Sequence, residues 1–186
     1  MTSLRTALAD VAPSAAEVAA TLPGDEVVAA PDVVMDRAFD VAAEPEVVWP
    51  WLEQLGKRRA GWYLPRTVER LVPPGRRAAR HLDDRWRLRV GQVVPDWGGR
   101  DATFEVVRVE PPTALVYRSR RGATELTWAL VLTPGRSPAT TRVHLRLRLS
   151  PVAHVRLAEA VGGSFDLLTV AGLAAGLRER VVPGSS

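Results

Sequence analysis

Groups able to do covalent or acid–base chemistry are thinly spread along this chain. It has no cysteine, and its three histidines stand far apart, at positions 81, 144 and 154. Thiol nucleophiles, disulfides and cysteine–metal sites are therefore excluded, and scattered histidines do not make a metal cluster. No Ser-His-Asp arrangement is recognisable, and Gly98-Gly99 reads as an ordinary turn, not a phosphate-cradling loop. The expectation is no metal and no cofactor. An acid–base pair would need side chains that converge in a pocket with shifted pKa values. Asp96, Asp101, Tyr117 and Arg37 could supply polar groups to a cavity, although turn and surface roles explain them equally well.

Aromatic residues and glycines are better candidates for a site. Trp62 and Tyr63 stand near several arginines. Aromatics in that setting could stack nucleic-acid bases, but the preferred reading is that they cover the mouth of a core or pocket. Gly172 and Gly176 lie one turn apart in an apolar stretch, each costing roughly 1 kcal/mol relative to alanine in a helix. Either the sheet approaches the helix closely there, or the missing side chains leave part of a cavity; the cavity is preferred. Trp62, Tyr63, Trp86, Tyr117, Trp128, Gly172 and Gly176 are thus the candidate ligand-binding residues.

The elements that must position them follow from periodicity. Ser164–Val181 reads as a C-terminal helix, with Ser164 as its cap and Asp166, Arg178 and Arg180 matching the helix dipole. From Leu167 to Leu177 it is apolar on nearly every side, so it must be covered on more than one face. Upstream, Ser14-Ala15-Ala16-Glu17 has capping-box spacing and starts a short helix that Leu22-Pro23-Gly24-Asp25 ends. Met35–Val41 alternates as a first strand, with Arg37 unexpectedly on the apolar face, either at the strand's exposed start or pointing into an interior. Glu44–Gly56 reads as a helix with Val48, Trp51, Leu52 and Leu55 on one stripe, kinked or divided at Pro50.

From Trp86 onward the pattern becomes β. Trp86–Val90, Ala102–Val109, Ala114–Ser119, Thr124–Leu132 and Arg142–Leu149 read as strands joined by turns. In Arg142–Leu149 the face carrying His144, Arg146 and Arg148 is expected to be solvated. The order is strand, helices, a run of antiparallel strands and a long buried helix, which is α+β. Residues 1–32 are expected to form an N-terminal extension, 33–182 the domain and 183–186 a tail.

Composition bounds the rest. The 186 residues are 46% hydrophobic and 25% charged, with a formal net charge of +4. Residues 1–55 carry 2 basic against 10 acidic side chains, and residues 56–186 carry 23 against 11. Eight of those basic residues and a single acid, Glu69, fall in Lys57–Arg80, read as short turns and a mobile loop. A basic surface can serve nucleic acid or an anionic membrane; equally, arginine can simply populate solvated faces. The first residues lack the apolar core of a signal peptide. The apolar run Leu167–Leu177 is well short of the ~20 residues needed to span a bilayer. The expectation is a cytoplasmic protein.

The chain also resembles the START-like, polyketide-cyclase-like superfamily (SRPBCC). The resemblance rests on Leu22-Pro23-Gly24-Asp25, on Ala43–Leu52, on Arg59-Ala60-Gly61-Trp62-Tyr63, on Val90–Pro95, on Pro111–Val116 and on the closing Gly176–Arg180. It implies a helix-grip fold, a curved antiparallel sheet wrapped around the C-terminal helix with a cavity between them. It also implies binding or carriage of a small hydrophobic molecule, lipid-like or polyketide-like. A cyclase, aromatase or dehydratase acting on a polyketide-like substrate is the alternative, and an interaction protein using the basic Lys57–Arg80 segment a third. The expected partner is the small molecule, with no nucleic acid and no transmembrane segment, in a monomer or homodimer.

Overall fold

Six strands form one antiparallel sheet in the order β1-β6-β5-β4-β3-β2. They are β1 (Val33–Val41), β2 (Val93–Pro95), β3 (Thr103–Glu110), β4 (Ala114–Arg121), β5 (Thr124–Pro134) and β6 (Thr141–Ser150). Among the described residues the α-helices α1 (Ala15–Ala19), α2 (Pro45–Gln54), α3 (Arg66–Glu69) and α4 (Gly163–Val181) accompany them. The computed structural model describes residues 9–153 and 163–181, side chains 163–165 excepted. The cap expected of Ser164, His154 and the ends of both expected terminal segments lie outside the described residues.

The sheet curves around α4, giving the α+β helix-grip architecture. Strand alternation sends Phe39, Val143, Leu145, Leu126 and Leu130 to the concave face, where they meet Val170, Leu173 and Leu177 of α4 and Val48 and Leu52 of α2 in one core. Each fully buried Leu or Phe there contributes roughly 1.5–3 kcal/mol. The helix α2 continues through Pro50 as a single element and does not divide there.

Two expectations are corrected. Trp86–Val90 is not a strand: Asp84–Trp86 is a 3-10 turn. Its backbone groups are satisfied by side chains, since Leu88 N–H donates to Glu53 Oε1 at 2.9 Å and Arg59 donates to the Trp86 carbonyl. With those partners taken from α2 and the loop after it, the segment needs no neighbouring strand.

The second correction concerns the basic face of β6. Arg142, His144 and Arg146 are all buried, not solvated, because the N-terminal extension lies across them. Arg146 donates to Asp36 Oδ1 at 2.8 Å, to Asp25 Oδ2 at 2.9 Å and to the carbonyls of Glu17, Val18 and Ala20. His144 Nε2 sits 2.6 Å from Asp36 Oδ1. Arg142 holds Glu17 at 2.6 Å, and Arg148 donates to the carbonyls of Val28 and Ala29. The acidic first third and the basic remainder of the chain are two halves of this contact.

The turn Leu22-Pro23-Gly24-Asp25 is the pivot of the extension. Leu22 enters a small second core with Val116, Ala129 and Val131 on the convex face. Asp25 accepts from Leu22 N–H at 2.9 Å as well as from Arg146. Gly24 has φ +96°, and a Cβ there would stand 2.5 Å from Val116 Cγ1, so only glycine fits both the turn and the contact.

Candidate functional site

Register places the aromatic candidates. Tyr117 on β4 and Trp128 on β5 are direct cross-strand partners, so both rings stand on the concave face. They stack with centroids 5.6 Å apart and planes 22° apart. Phe104 of β3 adds a third ring, 5.5 Å from Tyr117 and 5.9 Å from Trp128. Trp62 stacks on Trp128 at 6.1 Å, and Trp97, in the turn after β2, meets Trp62 edge-on at 5.5 Å. The Trp62 indole N–H donates to the Thr169 carbonyl at 3.1 Å, which ties this group of rings to α4.

These five rings form a gradient of exposure. Phe104 and Tyr117 are buried, Trp62 and Trp128 are half-buried, and Trp97 is 47% exposed. Leu147, Leu149, Leu167 and Ala171, all half-buried, continue the apolar surface alongside. The arrangement leads from solvent into the core between sheet and helix along a nearly unbroken aromatic path.

Few polar groups accompany it. Burial pushes the Tyr117 phenol up, well out of the physiological range, so it stays neutral and can only hydrogen-bond. Arg59, its pKa lowered by burial, lies under the same region and donates to the Glu53 carbonyl at 2.9 Å. Arg37 reaches from the apolar face of β1 to Asp166 in the first turn of α4, Nε to Oδ2 at 3.0 Å. Burial raises the Asp166 pKa, and Arg37 opposes it. Arg37 is thus part of an ion pair between strand and helix. Asp96 is buried and pairs with Arg121, while Lys57 Nζ donates to the carbonyls of Asp96 at 2.7 Å and Gly99 at 2.9 Å. These contacts fix the turn that presents Trp97. Asp101 is exposed. Among the described residues no group of His, Cys, Asp and Glu could hold a metal. The five rings present flat apolar faces with few polar groups beside them.

Of the seven candidate residues, Trp62, Tyr117 and Trp128 come together. Tyr63 is buried on the other side of its own strand of chain, edge-on to Trp51 at 5.8 Å, with its hydroxyl donating to the Trp51 carbonyl at 2.8 Å. Trp86 stands apart between two guanidinium groups, Arg59 at 5.2 Å and Arg85 at 4.8 Å. Gly172 and Gly176 do not border a cavity. A Cβ at Gly176 would lie 2.6 Å from the backbone of Tyr63 and Leu64, and one at Gly172 would lie 2.8 Å from Leu64 Cδ2. Close approach is the correct alternative, and the approaching partner is the chain at 63–64 instead of the sheet.

Two further rings join the site beyond those expected from sequence. Phe104 shares the alternation that buries Val106, which marks it as an inward position of its strand. Trp97 sits in a Gly-rich turn, where a large apolar side chain is itself the signal.

Residues 32–181 match the family described as polyketide cyclase / dehydrase and lipid transport. No curated protein matches the chain. Among solved structures it is similar to protein CV1439 from Chromobacterium violaceum, at 17% identity and TM-score 0.51, over 81% of this chain and 98% of that one. It is also similar to MLL2253 from Mesorhizobium loti, at 17% identity and TM-score 0.46, over 75% and 96% of the two chains. A third is CalU16 from Micromonospora echinospora, at 17% identity and TM-score 0.46, over 82% and 78%. At 17% identity the likeness to CV1439 is one of fold.

Proposed function

The chain belongs to the polyketide cyclase / dehydrase and lipid transport family, of the SRPBCC superfamily, and on that premise we propose that it binds and carries a small, largely apolar molecule between the sheet and α4. The observation that carries this reading is the run of rings from buried Tyr117 to Trp97 at 47% exposure. Flat aromatic faces favour planar or polycyclic ligands, with offset stacking worth ~0.5–1.5 kcal/mol per ring pair beyond area burial. Tyr117 supplies a neutral hydroxyl that orients such a ligand.

Carriage is favoured over cyclisation or dehydration. Those reactions need an acid and a base set against one another; the buried Tyr117 phenol does not serve as a base, and Asp166, its pKa raised by burial, is ion-paired with Arg37 in the first turn of α4. The test is quenching of tryptophan fluorescence by a hydroxyanthraquinone, by palmitate and by an anilinonaphthalene dye. Saturable quenching by at least one is expected. Trp97→Ala is expected to weaken it ~10-fold, the equivalent of ~1.4 kcal/mol, without lowering the melting temperature. Absence of saturable quenching with all three probes, or equal affinity in Trp97→Ala, counts against the site.

A further inference from the structure

The segment that follows the aromatic mouth projects a tip whose outward chemistry is uniform. Its acid, Glu69, is turned inward and buried between Arg180 and Arg80, each 2.5 Å away. Arg180 also donates to the carbonyls of Ala79, Leu64 and Gly176, and Arg66 N–H donates to Glu179, so the base of the tip is fastened to α4. Beyond that base stand Val68, 42% exposed, and Leu71, 86% exposed. Arg70, Arg76 and Arg77 of the same short segment are exposed as well. Among the described residues no carboxylate pairs with these three arginines. Arg77 braces the tip by donating to the carbonyls of Val72 at 2.9 Å and Arg70 at 3.4 Å.

We propose that residues 66–77 form a docking tip for an anionic lipid surface, with Leu71 and Val68 entering the interface and Arg70, Arg76 and Arg77 meeting lipid headgroups. An exposed leucine on a braced turn is of no use to a polyanion in water, but it gains from the apolar edge of a bilayer. Arginines around it supply the attraction that brings the leucine there. A nucleic acid is the less fitting partner. The aromatics that could stack bases, Trp62 and Tyr63, face inward on Trp128 and Trp51. No helix among the described residues is long and apolar enough to cross a membrane, so the contact is one of surface, not of spanning.

The test is co-sedimentation of the full chain with vesicles of phosphatidylcholine alone or with about 30 mol% phosphatidylglycerol, at ~0.1 M and ~0.5 M salt. Partitioning at least ~10-fold stronger on the anionic vesicles, and released by the higher salt, is expected. Leu71→Asp, and separately Arg70→Glu with Arg76→Glu, should each lower partitioning ~5-fold or more while leaving the melting temperature unchanged. Equal binding to neutral and anionic vesicles, or no partitioning of the wild-type chain, would overturn the proposal. So would variants that partition like the wild type, or a DNA duplex that binds through the same arginines while the vesicles do not.

Discussion

Glycine 176 carries more of the fold than its size suggests. Its missing side chain lets the chain at Tyr63-Leu64 pass against α4, where an added Cβ would stand only 2.6 Å from backbone atoms that cannot move aside independently. Gly176→Ala is therefore expected to destabilise the protein by ~1–3 kcal/mol, as overpacking does, despite alanine's better helix propensity. Gly172→Ala meets the end of a flexible leucine and should cost less. Thermal melts of both variants check the order; a Gly176→Ala protein as stable as the wild type would remove the close approach. Arg146 is the second such residue. It is buried with five hydrogen-bonding partners, and its removal leaves the buried Asp36 carboxylate with His144 as its remaining charged partner and takes a partner from Asp25. Arg146→Met should cost ~3–5 kcal/mol, in the range for breaking a buried ion pair, read by urea unfolding.

The N-terminal extension is the element whose attachment depends on charge. Hydrogen bonds from Arg142 hold the Glu17 carboxyl down to about 2. At Asp36 burial works against ionisation, but hydrogen bonds from His144 and Arg146 outweigh it and keep its pKa below the usual value. A carboxylate whose folded pKa lies below its unfolded value stabilises the fold at neutral pH and loses that contribution as it is protonated. For Glu17 the loss falls between about pH 4.5 and about pH 2. Lowering the pH through that window should release the extension before the sheet unfolds, seen as early loss of amide protection around residues 14–28. Glu17→Gln should weaken the extension already at pH 7 and flatten its acid dependence. An acid response identical to the wild type would place the latch elsewhere. We propose on this basis that the described part of the extension, residues 9–32, is an accessory segment and that the grip domain begins at β1.

At the scale of the whole molecule, the basic excess is largely spent internally. Lys57, Arg59, Arg80 and Arg180 hold the segment 57–80 to the turn at Asp96, to the loop at Trp86 and to Glu69. Arg142, Arg146 and Arg148 hold the extension. Of the arginines left outside, Arg85 and Arg87 pair with Asp83 and Asp84, Arg108 with Glu26 and Arg118 with Glu105. Duplex DNA should bind no tighter than ~10 µM at ~0.15 M salt, with the affinity falling steeply as salt rises. A filter-binding or anisotropy titration checks it, and tight binding that survives ~0.2 M salt would contradict it.

Much of the architecture was legible in the chain itself, because its signals are local. Period-two alternation in β1, β5 and β6 placed those strands to within a residue or two, and an apolar stretch with no polar face required a covered helix over Ser164–Val181, one residue short of the observed Gly163–Val181. The same locality accounts for the errors. The alternation of β6 says that Arg142, His144 and Arg146 share one face; it cannot say that an acidic segment over a hundred residues earlier lies across them. Trp86–Val90 alternates like a strand, but Glu53 and Arg59, near the end of α2, take its backbone groups. The glycines of α4 announced a missing volume, and only the folded chain shows that Tyr63 and Leu64 fill it. Nor could spacing reveal that Phe104 and Trp97 join Trp62, Tyr117 and Trp128. That meeting depends on strand register and on a turn fastened by Lys57 and Arg121. Element type and buried face follow from neighbours along the sequence, whereas partners across the core are settled by long-range contacts that exist only once the sheet has closed on its helix.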